Sequence, residues 1–505
     1  LPRHQTLQAL IDWSYDLLSE PERALLRRLA VFAGGCTLEA ARAVGVGEAV
    51  DAGAVLDLLS QLVSKSLVQA HPEAGQPTRY GMLETIRQYA LVRLESSGET
   101  SGARQRHAAY YLALSETETH DLDPEWLRVM EFEFDNLWGA ITWEQSAAGS
   151  TKAALRLSLA TNQTWGFGGH ARESVLVCER ALALPDADNY PLLQAQVMLL
   201  LGRFALGGSD YPTAQALMTD SLQLVQALGA TEQIADVLAW LARLAAAQGD
   251  TATARLRFEE SLALFKQTGN QFAIGYVVIG MGGVALLEED LAESKRLLEE
   301  ALTINRAVGN GGSIGETLIG LGHVAQLEGD VERAAQLYEE GLMQCQRVKA
   351  PWAGIAAAHQ GLAEVALAQN NGASAARHLF EALDILRDSG AQLWIGWCLA
   401  GLAGAAVLDE EPVRAARLWG AAEALLTTID GGYAPTSRAN RERLMADARR
   451  QLGESAFTAA WAEGARQTMG QAVVEALTTG RHTQSPSYAN FGVKRTIRDD
   501  FSNRS

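Results

Sequence analysis

A pattern that returns every 40 residues constrains this chain more than any other feature. The segments LAAAQGDTATARLRFEESLALF, VALLEEDLAESKRLLEEALTIN and VAQLEGDVERAAQLYEEGLMQC align on Asp250, Asp290 and Asp330, and Asp210 stands one period earlier. Asn371 and Glu411 continue the slot after a one-residue slip around Lys349-Ala350-Pro351, which makes six units. Within each unit apolar residues recur at i, i+3, i+4 and i+7 in two blocks around a Gly-Asp type turn, so each unit is predicted to be a helix hairpin. A single hairpin cannot bury its apolar face, whereas stacked neighbours can. The 505 residues exceed the roughly 250–300 at which one core stops growing, and an array escapes that limit.

A second slot holds Gly202, Ala242, Gly282, Gly322, Ala363 and Ala403, and a third holds Ala214, Ala254, Ser294, Ala334, Ala375 and Ala415. Gly inside a helix costs about 1 kcal/mol relative to Ala, so its return at one slot predicts a neighbouring helix too close for a larger side chain. With small residues at such crossings, residues 190–430 resemble tetratricopeptide repeats. The units are longer than the roughly 34 residues usual there, so longer helices or turns are expected. The resemblance implies that the first helix of each hairpin lines a concave groove that binds a protein or small-molecule effector. The position after the small slot holds Arg203, Arg243, Gly283, His323, Glu364 and Gly404. One and two turns earlier on the same face stand residues such as Gln196, Asp236, Tyr276, Glu316, Gln360 and Trp397. Tyr276 and Trp397 would be costly on an open surface without a partner. The partner-binding candidates are therefore Arg203, Asp236, Arg243, Tyr276, Glu316, His323, Gln360, Glu364 and Trp397.

Residues 1–98 follow another plan. Helices are predicted over Thr6–Leu18, Glu20–Phe32, Thr37–Val44 and Ala54–Ser64, with Ser19 and Thr37 as N-caps and Gly34-Gly35 as a stop. Two short strands, Ser66–Ala70 and Thr78–Met82, and a helix over Leu83–Glu95 complete a winged helix. The expected order is a winged-helix domain (1–98), a helical connector (99–149), the repeat array (150–430, opening with a helix pair over Ala153–Leu184), a helical cap (431–480) and a disordered tail (481–505). The fold class is all-α, a winged-helix domain followed by an α-solenoid of tetratricopeptide-like hairpins.

The stretch LPRHQTLQALIDWSYDLLSEPERALLRRLAVFAGGCTLEAA, then SLV and RYGMLETIRQYALVRL, resembles the winged-helix segment of bacterial STAND-type transcriptional regulators of the LuxR or SARP kind. WLRVMEFEFDNLWGAITW, ARLWGAAEALL and AFTAAWAEG extend the resemblance over residues 1–480. It implies an NB-ARC nucleotide-binding module upstream and a regulatory, signal-sensing role. The alternative is a free-standing repeat adaptor. Two departures stand out. No G-x-x-x-x-G-K-[ST] occurs, so this chain lacks the family's phosphate cradle. Where related switches carry Met-His-Asp, this chain has Met82-Leu83-Glu84, and Leu83 cannot donate a hydrogen bond.

The remaining chemistry reads as absence. Lys+Arg 42 against Asp+Glu 60 gives −18, a field that repels phosphate backbones and anionic lipid. The winged helix itself carries nine basic and twelve acidic residues over positions 1–100, and its recognition-helix candidate VLDLLSQLVSKSL has one Lys, so direct DNA contact is not expected. The uncharged stretches Phe272–Leu287 and Leu393–Leu408 are 16 residues each, short of the roughly 20 that span a bilayer. Cys36, Cys178, Cys345 and Cys398 form no C-x-x-C pair and fit a reducing cytoplasm, and the start at Leu1 without a signal-peptide pattern reads as a fragment. His323, His359 and His378 read as surface or groove residues, Gly280-Met281-Gly282-Gly283 as helix packing, and no catalytic, cofactor or metal site is expected.

Overall fold

Each unit of the array is closed by its own polar turn. In the computed structural model, which describes residues 2–72, 77–117, 124–165, 170–348, 352–386, 391–429 and 431–478, six consecutive helix pairs carry the period. They are Pro191–Gly207 with Tyr211–Ala227 (unit 1), Thr231–Ala247 with Thr251–Thr268 (unit 2), Gln271–Leu287 with Leu291–Val308 (unit 3), Gly311–Leu327 with Val331–Arg347 (unit 4), Trp352–Ala368 with Gly372–Leu386 (unit 5), and Gln392–Leu408 with Pro412–Thr428 (unit 6). The recurring Asp is the N-cap of each second helix. Asp210, Asp250, Asp290 and Asp330 accept the backbone N–H three residues on at 3.0–3.2 Å, and Asn371 does the same for Ser374. Such a cap stabilises by about 1 kcal/mol. Glu411, one carbon longer, makes no such bond and pairs with Arg414 at 3.0 Å. The residue before each cap is left-handed, at φ +79° in Gly249 and +85° in Gly329, and between +56° and +64° in Ser209, Glu289, Asn370 and Glu410.

The extra length of the unit lies in its helices, which run to 17 and 18 residues in unit 2. The two small-residue slots face each other where the helices of a unit cross. Ser294 donates to the Gly282 carbonyl at 2.9 Å across that crossing. A Cβ on Gly202 would sit 2.9 Å from Met218 Cγ, and one on Gly322 2.7 Å from the Tyr338 ring. The glycines around Met281 are packing positions: a Cβ on Gly280 would fall 2.3 Å from the buried Phe258 ring, while Gly283 faces open space. Consecutive first helices touch one another, and each second helix packs between its own first helix and the next. The first helices therefore form a continuous inner layer.

At the N-terminal end, helices Pro2–Asp16, Glu20–Leu29, Leu38–Gly45 and Val55–Ser64 precede the antiparallel strands Gln69–His71 and Arg79–Gly81 and the helix Glu84–Ser96. Cys36 bridges to Tyr80 as a third strand position, with Gly35 at φ +74° making the bend. Helices Thr100–Ser115, Pro124–Phe132, Phe134–Glu144, Thr151–Trp165 and Ala171–Leu182 lead into unit 1. One apolar cluster runs from Tyr15 to Leu201, so the winged helix, the connecting helices and unit 1 share a core. A buried polar knot reinforces it. Glu133 accepts from Arg79 (2.6 and 3.0 Å), Tyr111 Oη (2.8 Å) and Asn136 Nδ2 (2.6 Å), and Asn136 also holds the Gly35 carbonyl at 2.9 Å.

Past unit 6 the chain forms Arg438–Leu452, Glu454–Gly464 and Met469–Thr478. The expected tail, 481–505, lies outside the described residues, as do Gly166–Gly169 of the Trp165–His170 stretch. The latter two helices pack at the end of the array. Glu454–Gly464 crosses Pro412–Thr428 so closely that a Cβ on Gly464 would lie 1.8 Å from the Arg417 carbonyl oxygen. The sequence-based expectation of a simple end cap does not describe Arg438–Leu452, which turns back across the first helices of units 5 and 6. No described helix is long and apolar enough to cross a membrane.

These contacts separate two substitutions of the same type. Gly464→Ala must push two backbones apart and should cost about 1–3 kcal/mol, whereas Gly283→Ala, into open space, should gain about 1 kcal/mol in helix propensity. Chemical denaturation of the two variants beside the wild type checks the opposite signs.

Candidate functional site

The inner layer carries side chains of two kinds, and the border falls near unit 4. Over units 1–4 a ladder of cations and aromatic rings links successive first helices. The Arg203 guanidinium lies 4.4 Å from the Trp240 ring centre, Trp240 lies 5.8 Å from Tyr276, and Arg243 sits 3.9 Å over Tyr276. Arg243 also reaches Glu316 at 3.4 Å, which carries the ladder into unit 4. Asp236 stands one turn before Trp240 on the same helix. Its burial raises the carboxyl pKa, and Arg203 and the indole counteract that rise. Arg203, Asp236, Trp240, Arg243, Tyr276 and Glu316 are all partly exposed. Beside them a pocket of about 240 Å³ opens among units 1, 2 and 3, lined by Gln196, Glu232, Asp236 and Asn270.

The ladder is suited to recognition because each ring face is covered by a guanidinium that is itself part open. A cation over an aromatic ring gains about 0.5–2 kcal/mol as water is excluded, so an incoming group that dries the ladder strengthens it. Trp240 was missed from sequence alone, although it stands one turn before Arg243 on the same face.

The other candidates do not join the ladder. His323 packs edge-on against Tyr338 at 5.4 Å, and burial lowers its pKa to about 4. Gln360 ties two first helices together by donating to the Trp394 carbonyl at 3.0 Å and to Cys398 Sγ at 3.1 Å. Trp397 Nε1 donates to the Gly432 carbonyl at 2.8 Å. Glu364 accepts from Asn440 Nδ2 at 2.8 Å.

The groove predicted along all six units is thus covered over its far end by the chain itself. Gln326 donates to the Thr436 carbonyl at 3.0 Å, Arg438 pairs with Glu289 at 3.1 Å, and Arg443 reaches the Leu367 carbonyl and Asn370, each at 2.8 Å. The buried Leu444 fills the space left by Gly404. The partner that pays for the exposed surface of Trp397 is therefore an internal segment.

Among the described residues, one set of side chains is grouped closely enough to hold a metal ion: His359, His378 and Glu381 of unit 5. Sequence reasoning treated these histidines as groove or surface residues, but His359 is buried between the two helices of the unit.

The family profile of a winged helix-turn-helix domain matches residues 18–95. Over 248 residues the chain is 40% identical to a Mycobacterium tuberculosis protein named as an HTH-type transcriptional regulator, an alignment that takes in 45% of this chain and 28% of the relative. An uncharacterized protein of the same organism is 45% identical over 104 residues, 20% of this chain and 26% of that one. The chain thus spans under a third of the length of these relatives. Among solved structures, a signal transduction ATPase with numerous domains, a STAND protein with a tetratricopeptide repeat sensor from Pyrococcus horikoshii, superposes with a TM-score of 0.51. Its sequence identity is 16%, and the match covers 89% of this chain and 66% of that one. The likeness is one of fold, and this chain is a winged helix followed by an α-solenoid of tetratricopeptide-like hairpins.

Glu364 gives the covered end a pH dependence. Burial raises its pKa from 4.5 to about 7, against the hydrogen bond from Asn440. For an acid raised in the folded state, the stabilising contribution is complete below the unfolded pKa and is lost as pH rises through the folded one. Glu364→Gln keeps an acceptor for Asn440 without the charge. The variant should melt above the wild type at pH 8 and level with it at pH 5, as thermal scans at both values would show.

Proposed function

We propose that this chain is the regulatory and sensing portion of a STAND-type transcriptional regulator of the LuxR or SARP kind. In this reading an effector binds the open ladder of units 1–4, and the winged helix relays the state of an NB-ARC module elsewhere in the parent protein. The observation that carries it is the Arg203–Trp240–Arg243–Tyr276–Glu316 ladder, which joins four successive units through partly exposed side chains. An effector seated there touches several repeats at once and changes their relative setting. The shared core from Tyr15 to Leu201 supplies a physical route from unit 1 to the winged helix. Opposite charges alternate along the ladder, which favours a partner that presents both signs, such as a peptide segment.

The winged helix serves this relay better than it serves DNA reading. Lys65, at the end of the Val55–Ser64 helix, is ion-paired with the buried Glu22. Arg79 of the wing is committed to Glu133. Neither cation is free for a phosphate, and base readout needs such positioning contacts. Leu83, where related switches place a His, caps the Glu84–Ser96 helix as an exposed residue, so any relay runs through packing.

Two outcomes are expected. The purified chain should give no salt-sensitive shift of duplex DNA even at low ionic strength, where phosphate contacts are strongest. The double variant Trp240→Ala/Tyr276→Ala should remain helical while losing at least tenfold in affinity for the effector recovered with the wild-type chain. Titration of the two proteins against that effector checks this, and unchanged affinity would remove the ladder from the binding surface.

A further inference from the structure

Unit 5 departs from the apolar pairs of units 4 and 6 at two facing positions. In the repeat frame the slot of His359 holds Met198, Leu238, Val278, Leu318 and Leu399 in the other units. The slot of His378 holds Leu217, Arg257, Leu297, Leu337 and Leu418. Several of these are fully buried core residues, among them Leu238, Val278, Leu318, Leu337, Leu399 and Leu418. Unit 5 therefore places two imidazoles, one from each helix of the hairpin, where its neighbours place hydrocarbon. Burying a polar ring in such a slot costs stability unless it is partnered.

The partners are close. His359 Nδ1 and His378 Nδ1 are 3.1 Å apart, and Glu381, one turn beyond His378, brings Oε2 to 3.2 Å from His359 Nε2. One ligand atom from each of the three side chains lies within 4.8 Å of the other two. His359 is 3% exposed, so its ring is held in place by the surrounding helices.

We propose that unit 5 contains a divalent transition-metal site of the zinc class, formed by His359, His378 and Glu381. The separation of the two nitrogens is that required of adjacent ligands: two Zn–N bonds of about 2.05 Å at a tetrahedral angle set them about 3.3 Å apart. Two imidazoles and one carboxylate suit zinc and its neighbours, whereas magnesium and calcium favour all-oxygen shells. Glu381, with its side chain 30% exposed, turns from His359 Nε2 to become the third ligand and leaves the fourth position to water.

Without metal the same groups form a hydrogen-bonded chain. Arg377 lies 3.3 Å from His378 Nε2, the two Nδ1 atoms share one proton, and His359 Nε2–H faces Glu381. This arrangement is satisfied with neutral imidazoles, which explains how the pair survives burial in the apo state. Arg377 opposes a cation at His378, but it is exposed and free to swing out. The bound ion would pin the two helices of unit 5 together five residues before Glu364, where the C-terminal helix docks.

The test is calorimetric titration of zinc chloride into the whole chain after chelator treatment, with melting followed in parallel. One saturable equivalent and a raised melting temperature are expected. His359→Leu/His378→Leu, which restores the apolar pair of units 4 and 6, should stay folded and lose that equivalent. Glu381→Ala, at a partly exposed position, should weaken binding at least tenfold, and it serves as the decisive variant should the double Leu protein fail to fold. Absence of a saturable equivalent in the wild type, or binding unchanged by Glu381→Ala, would overturn the site.

Discussion

The array depends on how closely the two helices of each unit approach one another. Ala and Gly at facing slots let the backbones come near enough for Ser294 to bond the Gly282 carbonyl, and the same crossing recurs at Gly202 and Gly322. A close crossing fixes the angle within a unit, and a fixed angle repeated six times sets the inner layer of first helices. The side chains that reach that layer are therefore positioned by residues which themselves bind nothing. Larger side chains in these slots would change the pitch of the inner layer before they changed its chemistry.

Both ends of this layer are closed by polar contacts, buried at the N-terminal side and partly exposed at the far side. At the N-terminal side Glu133 takes four hydrogen bonds from Arg79, Tyr111 and Asn136, which compensates the large cost of burying a carboxylate. At the far side Asn440 and Arg443 bond carbonyl groups and side chains of unit 5. Between these closures the ladder of Arg203, Trp240, Arg243, Tyr276 and Glu316 stays open. The open surface of the inner layer is thus confined to one half of the array by the packing of the other half.

The repeat was legible because its signals are local: an Asp that caps a helix and a small residue at a crossing occupy fixed positions whatever the partner. The winged helix was legible from the same kind of local marks, such as Thr37, which caps its helix through the Ala40 N–H at 3.2 Å. The return of Arg438–Leu452 was not, because it rests on Asn440 meeting Glu364 across 76 positions, a pairing with no periodic trace. For the same reason Trp397 read as an open binding residue instead of one held by Gly432. The histidine pair was within reach. Aligning His359 and His378 with the apolar slots of the other units would have singled both out, but counting metal spacings along one segment could not, since the ligands come from two helices.

The central claim, that the C-terminal helix covers the far half of the inner layer while the near half stays open, is tested most directly by amide hydrogen exchange on Asn440→Ala/Arg443→Ala beside the wild type. Loss of these bonds should speed exchange in Arg438–Leu452 and at the ends of Trp352–Ala368, and leave Pro191–Gly207 and Thr231–Ala247 unchanged. Exchange that is unaltered throughout, or that rises equally in units 1 and 2, would contradict the account.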